Sequence, residues 1–343
     1  MVKSDRRDFL EGLSAGAVTL MLGRLANAAD GPAAKSKPRR FHFVHVDVFT
    51  SQPLGGNPLY VFTDAHGLSD AEMLAIARET YLSETTFVFP RDAALERERG
   101  VSVRIFTPGG EIPFAGQPTL GTAIVLRNRL LAREGQGAST SASASQIVLD
   151  LKVGKVPVSF QTDALGKTFG EMRQVPPIFG PLHDKDAVAR LHNLLPGDIS
   201  EEGPVQTVST GLPFAILPIK HLNTFQALRI DVEKMNAYVE HQEVHFGFYY
   251  VTGDTGDPDV AIRARCLYVG GEDAATGSAA GCAAAWMVRY GVAAPERVIH
   301  IRQGVEMKRP SDMFVRASKE GGNITNVRVG GYAVRTMEGD VTL

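Results

Sequence analysis

Three kinds of side chain in this 343-residue chain have types and positions suited to chemistry: two cysteines, a few histidines on strand-like sequence, and carboxylates beside glycine-rich turns. Cys266 and Cys282 lack the C-x-x-C spacing of zinc sites and lie in apolar sequence, so they read as buried core thiols. His42 and His45 are three apart on a strand and face opposite sides, which is poor metal geometry. His245 sits in the aromatic run Phe246-Gly247-Phe248-Tyr249-Tyr250 and reads as a packed histidine, as the tyrosine pair reads as core. Phosphate-loop and dinucleotide glycine fingerprints are missing from the sequence. The carboxylates are more informative. Arg104-Ile105-Phe106-Thr107-Pro108-Gly109-Gly110-Glu111 recurs as Arg265-Cys266-Leu267-Tyr268-Val269-Gly270-Gly271-Glu272, giving R-x-(F/L)-x-x-G-G-E twice. Each copy leads into small residues that open an apolar helix, Pro118–Leu126 and Thr276–Met287. Two buried helix N-termini could offer amides to one carboxylate. Any tight turn also calls for glycine, so the repeat alone leaves both site and scaffold open.

The remaining elements must hold those two helices. Alternation over Phe41–Phe49 predicts a strand that ends at the turn Gly55-Gly56-Asn57-Pro58. Ser69, with Glu72 three residues on, forms a capping box for a helix that should stop near Tyr81. Thr85–Phe89, Val101–Phe106 and Ile147–Leu151 read as strands, and Glu134–Gln146 as a Ser/Ala/Gly loop. Strand runs around two buried helices fit an α+β architecture better than a doubly wound parallel sheet: two lobes, each a curved sheet wrapped on its own buried helix, with the site between them. The boundaries expected are 41–175 for the N-terminal lobe, which 331–343 could complete, and 176–330 for the C-terminal lobe.

Composition bounds the function class. With 36 basic and 38 acidic residues, the net charge of −2 gives no electrostatic footprint for nucleic acid. Residues 1–28 read as an export signal: Arg6-Arg7, an uncharged stretch from Gly12 to Gly23, and Ala26-Asn27-Ala28 as a cleavage site. That order resembles a twin-arginine signal, which implies a periplasmic protein. The uncharged stretch is far shorter than the roughly 20 apolar residues that span a bilayer, so no membrane association is expected after cleavage. Residues 29–40 read as a linker.

Asp47-Val48-Phe49-Thr50, Gly55-Gly56-Asn57-Pro58, Ser83-Glu84-Thr85-Thr86-Phe87, the run Phe106–Thr119 and the run Gly271–Gly281 together resemble the PhzF-like family, the phenazine-biosynthesis isomerase group within the diaminopimelate epimerase superfamily. The resemblance covers essentially all of Phe41–Leu343. It implies two similar lobes, each a mostly antiparallel, barrel-like sheet around a central helix, no cofactor, commonly a homodimer, and a cleft between the lobes that closes on a small substrate, expected here to bear a carboxylate. The family's acid/base glutamate falls on Glu84, and a carboxylate in a closing apolar cleft has its pKa raised by desolvation, as such a role needs. Asp273 and Ser278 match two further family site positions. Gly277, Thr276, Gly116, Thr119 and Asn57 flank them as candidate substrate contacts. Helix capping accounts for one of Asp273, Thr276 and Ser278 without any substrate.

One position departs from the family. Gln117 stands where the family usually has histidine, and glutamine exchanges hydrogen bonds but does not titrate. Three readings follow: a one-base isomerase using Glu84 alone, an altered substrate, or a small-molecule binding protein without turnover. Superfamily racemases use two thiols, and aligning on the repeat puts those positions at Ala115 and Ala274. Neither can carry a proton. Two-base racemisation is therefore disfavoured, and an isomerase moving a proton on one face is expected.

Overall fold

In the computed structural model the residues described are 37–134, 145–240, 247–268 and 271–343, and Arg39–Leu343 cluster as one unit. Residues 1–28, residues 29–36 of the linker, His245 and most of the 134–146 loop lie outside the described residues. The first half runs β1 (Arg40–Val48), β2 (Asn57–Phe62), α1 (Asp70–Thr80), β3 (Thr85–Phe89), α2 (Ala93–Arg99), β4 (Val101–Thr107), β5 (Gly110–Ile112), α3 (Gly116–Glu134), β6 (Gln146–Leu151), β7 (Gly154–Thr162) and β8 (Thr168–Arg173). The second runs β9 (Ile178–Leu182), α4 (Lys185–Leu191), β10 (Gln206–Ser209), β11 (Pro213–Pro218), α5 (Leu222–Ala227), α6 (Val232–Glu240), β12 (Phe248–Thr252), β13 (Ile262–Tyr268), β14 (Gly271–Asp273), α7 (Gly277–Arg289), β15 (Ile299–Gln303), β16 (Ser311–Glu320), β17 (Asn323–Gly331) and β18 (Ala333–Thr342).

Local signals set these elements as anticipated. Ser69 and Glu72 close the capping box of α1, and Tyr81 ends the helix in the left-handed region at φ 51°.

Strand pairing repeats along the chain. In the first half β1 pairs antiparallel with β2, β2 runs parallel to β3, β3–β4 and the β4–β5 hairpin are antiparallel, β4 runs parallel to β6, and β6–β7–β8 are antiparallel. Strands β10 to β17 repeat that series step for step, with β14 in the place of β5. Antiparallel pairing of β8 with β17 joins the two series, β18 returns to β1, and β9 takes the equivalent place on β10. Within this sheet α3 packs against β1, β2, β6 and β8, while α7 packs against β10, β11, β16 and β17.

The sequence repeat has a physical role here. Arg104 makes a bidentate pair with Glu111, at 2.9 Å for both bonds, across the β4–β5 hairpin. Arg265 does the same with Glu272 across β13–β14, at 2.8 and 2.9 Å, and its Nη1 also donates to the Phe225, Gln226 and Leu228 carbonyls at the end of α5. Each staple fixes the register of a short hairpin that launches a central helix. In α7 every residue from Gly277 to Val288 is buried. Helix α3 is buried only as far as Val125, then emerges from Leu126 and runs on to Glu134, beyond its apolar stretch.

Candidate active site

The loop that leaves β1 is held by a charge clamp. Phe49 turns the chain in the left-handed region at φ 62°, and the buried Asp47 carboxylate accepts from Leu54 N at 2.7 Å and Arg309 Nη2 at 2.6 Å. Arg309 also donates to the carbonyls of Gly56 and Gly55, at 2.8 and 2.6 Å. Gly56 is at φ 61°, and a Cβ there would stand 2.3 Å from the Val48 carbonyl oxygen, so this turn requires glycine. The clamp sets Asn57 at the start of β2 with its side chain buried.

Asn57 reaches Asp273, the last residue of β14. Asp273 Oδ1 accepts from Asn57 Nδ2 and from Ser83 Oγ, both at 2.8 Å, and Oδ2 accepts from Thr276 Oγ1 at 2.7 Å. Thr276 occupies the N-cap position of α7, yet its hydroxyl is spent on Asp273 and not on the helix amides. Gln303 braces this arrangement from behind: Nε2 donates to the Asp273 carbonyl at 2.8 Å and to Thr276 Oγ1 at 3.0 Å, and Oε1 accepts from the buried Tyr249 hydroxyl at 3.0 Å.

Glu84 lies beside Asp273, between the left-handed end of α1 and the start of β3. The residue as a whole is half-buried, but its Oε2 is shut off from solvent and has no hydrogen-bond partner among the described residues. Burial, then the neighbouring Asp273 charge, pushes the Glu84 carboxyl well above the usual carboxylate range. Burial raises Asp273 as well, but the donors from Thr276, Ser83 and Asn57 pull it back. Of two carboxylates in one buried site, Asp273 therefore keeps the charge and Glu84 the proton. Such a proton is available for transfer.

Gln117, the second residue of α3, joins the cluster through Asn57: its Nε2 donates to the Asn57 carbonyl at 3.0 Å, and its Oε1 is buried with no partner among the described residues. The heads of α3 and α7 touch. A Cβ at Gly116 would stand 2.5 Å from the Gly277 carbonyl carbon and 2.6 Å from Ser278 N, so glycine is what lets the two helix N-termini meet. Ser278 is buried there, and Ala115 and Ala274 are buried just ahead of the two heads. Thr119 is different: it is fully buried, and its hydroxyl donates to the Ala115 carbonyl at 2.6 Å within its own helix.

The two cysteines are free and buried; burial raises both thiols, Cys282 to about 11. His42 is exposed beside Asp340, while His45 is buried against Thr336. Among the described residues no group of three His, Cys, Asp or Glu side chains is placed to hold a metal. Sequence reasoning did not single out Ser83, Gln303, Arg309 or Gln174, whose Nε2 caps the Gly277 carbonyl at 2.9 Å. Ser83 could have been found beside Glu84. The other three reach the site from strands and loops far along the chain and carry no local signal.

Residues 46–339 match the family model described as phenazine biosynthesis-like protein. The chain is 34% identical over 307 residues to the trans-2,3-dihydro-3-hydroxyanthranilate isomerase of Pseudomonas chlororaphis, covering 88% of this chain and 99% of that protein. Among solved structures, the Bacillus anthracis phenazine biosynthesis protein of the PhzF family superposes with a TM-score of 0.74 at 25% identity, over 89% of this chain and 100% of that one. A hydroxyproline epimerase from Agrobacterium vitis gives 0.54 at 13% identity, over 89% and 93% of the two chains, and shares the fold alone.

Proposed function

The chain belongs to the phenazine biosynthesis-like protein family and is an isomerase, and from that premise we propose that Glu84 moves a proton on a small carboxylate-bearing substrate in a cleft between two lobes. The observation that carries this reading is the buried Glu84 carboxyl, with one oxygen unpartnered among the described residues, beside an Asp273 whose charge is already held by three side-chain donors.

The substrate carboxylate sits at the meeting heads of α3 and α7, where the leading amides and the Ser278 hydroxyl can donate. Asp273, held in place by Asn57, Ser83 and Thr276, fixes its polar substituents. Glu84, in its ionised form, takes a proton from a tetrahedral ring carbon; the C–H electron pair shifts into the conjugated system, and the same carboxyl, whose proton exchanges with solvent between the two transfers, returns a proton to another carbon on that face. The substrate's own π system holds the charge between the two transfers. A second base is not needed, which agrees with a Gln117 that does not titrate and whose Nε2 is committed to Asn57.

The lobes are the two halves of the strand series, 41–175 with the returning β18, and 176–330. Export by residues 1–28 and assembly into a homodimer complete the proposal. The substrate named in the relatives, trans-2,3-dihydro-3-hydroxyanthranilate, is the first compound to test. Incubated in D₂O with the protein, it should take up deuterium at carbon, read by mass spectrometry, and Glu84→Gln should abolish that uptake while binding stays within a few fold. Unchanged uptake in the variant would refute the mechanism.

A further inference from the structure

Gln303, the last residue of β15, is fully buried behind the turn that joins β14 to α7. Two backbone groups fix the direction of its carboxamide. The Thr276 amide only donates, so the atom 3.2 Å from it is Oε1; the Asp273 carbonyl only accepts, so the atom 2.8 Å from it is Nε2. With that direction fixed, the second Nε2 hydrogen goes to Thr276 Oγ1 at 3.0 Å, and Oε1 takes a second donor from the Tyr249 hydroxyl. The side chain thus spends all its hydrogen-bonding capacity, and most of it on the segment from Asp273 to Thr276.

The consequence falls on Thr276. A hydroxyl has one hydrogen, and an oxygen already accepting from Gln303 gives that hydrogen to its other neighbour, Asp273 Oδ2 at 2.7 Å. Another destination is close by: Thr276 is the N-cap residue of α7, where threonine ordinarily turns its oxygen to the leading helix amides, yet α7 has no side-chain cap. At the other carboxylate oxygen, the Asn57 amide is held in a similar way, since its Nδ2 also donates to the Ala275 carbonyl at 3.0 Å. The Ser83 hydroxyl, the third donor, has no such brace among the described residues.

We propose, resting on the isomerase reading, that Gln303 is a positioning residue that assigns the proton of the Glu84 and Asp273 pair: it directs the Thr276 hydroxyl away from α7 and onto Asp273, so that Asp273 holds the negative charge and Glu84 the transferable proton. Gln303 acts through Thr276. Besides Glu84, the titratable groups that face Asp273 among the described residues are Tyr249 on β12 and Cys266 and Tyr268 on β13. Burial raises all three above their ordinary values, so they stay neutral across the carboxylate range.

Carboxyl-carbon NMR reads where the proton sits without any turnover. The protein is labelled with ¹³C at the side-chain carboxyls of aspartate and glutamate, and Glu84→Gln and Asp273→Asn assign the two resonances. In the native protein Glu84 should titrate above the usual carboxylate range while Asp273 stays ionised over the same interval. Gln303→Met, similar in length without the amide, should raise Asp273's share of the proton by about 10-fold, so that a step appears in its resonance at the pH where Glu84 titrates. Tyr249→Phe removes a hydrogen bond from the same carboxamide but neither contact that fixes its direction, and should leave Asp273 ionised. An Asp273 that titrates with Glu84 in the native protein, that stays ionised in Gln303→Met, or that gains the proton equally in Tyr249→Phe overturns the proposal. If Gln303→Met does not fold, Thr276→Val decides, because it deletes only the directed hydroxyl: Asp273 should again share the proton, and an unmoved Asp273 overturns the proposal. The expected titrations without deuterium uptake sink only the proton-transfer mechanism, and uptake with an unmoved Asp273 sinks this assignment alone.

Discussion

At the scale of single residues, the proposed chemistry rests on an unequal pair of carboxylates. Asp273 has three side-chain donors; Glu84 has a buried carboxyl and a neighbouring negative charge. A base of this kind works only once it has lost its proton, so kcat/KM should rise with pH along an acidic limb that lies above the usual carboxylate range. The apparent value belongs to the pair. Asp273→Asn removes the charge that lifts Glu84 while leaving its burial, so the limb should move to lower pH. A pH profile of kcat/KM for the variant checks this, and a limb that stays put or moves up would mean the two carboxyls do not interact. Glu84 was legible in the sequence because it stands in a short family motif. The donors on Asp273 were not, since they converge from positions 57, 83 and 276.

At the scale of elements, each central helix hangs from a stapled hairpin. The two staples differ in burial: the Arg265 side chain is 4% exposed and that of Arg104 28%. Removing Arg265 strands a Glu272 side chain that is only 14% exposed and frees three carbonyls at the end of α5, so Arg265→Ala should cost about 3 kcal/mol. Arg104→Ala leaves Glu111 close to water and should cost about 1 kcal/mol or less. Denaturant unfolding of both variants measures the difference; equal losses would show that burial is not what distinguishes the staples. The repeat itself was readable because arginine, paired glycines and glutamate recur in one order. Its role was not, because an R…E spacing does not say whether the two side chains meet each other or a ligand.

At the scale of the whole molecule, one pairing series is used twice and joined through β8 and β17, with the two helix heads brought together at Gly116 and Gly277. The proposed export signal, residues 1–28, is tested separately: replacing Arg6 and Arg7 by lysine should leave the protein in the cytoplasm, with cell fractionation as the readout, and undiminished periplasmic protein would remove the twin-arginine reading. The sequence by itself determined what local rules govern: the capping box at Ser69, the alternation of β1 and the small residues that let α7 be buried. The two hairpin repeats and the family motifs were equally open to reading, because each is complete within a few neighbouring residues. Only the tertiary structure decided which groups share a site. Asn57, Gln117, Asp273 and Gln303 come from four separate segments, and a hydrogen bond between them depends on strand register and helix contact, which no spacing along the chain encodes. The same holds for the orphan oxygens of Glu84 and Gln117, because burial and the absence of a partner are properties of the folded surroundings and not of a side chain alone.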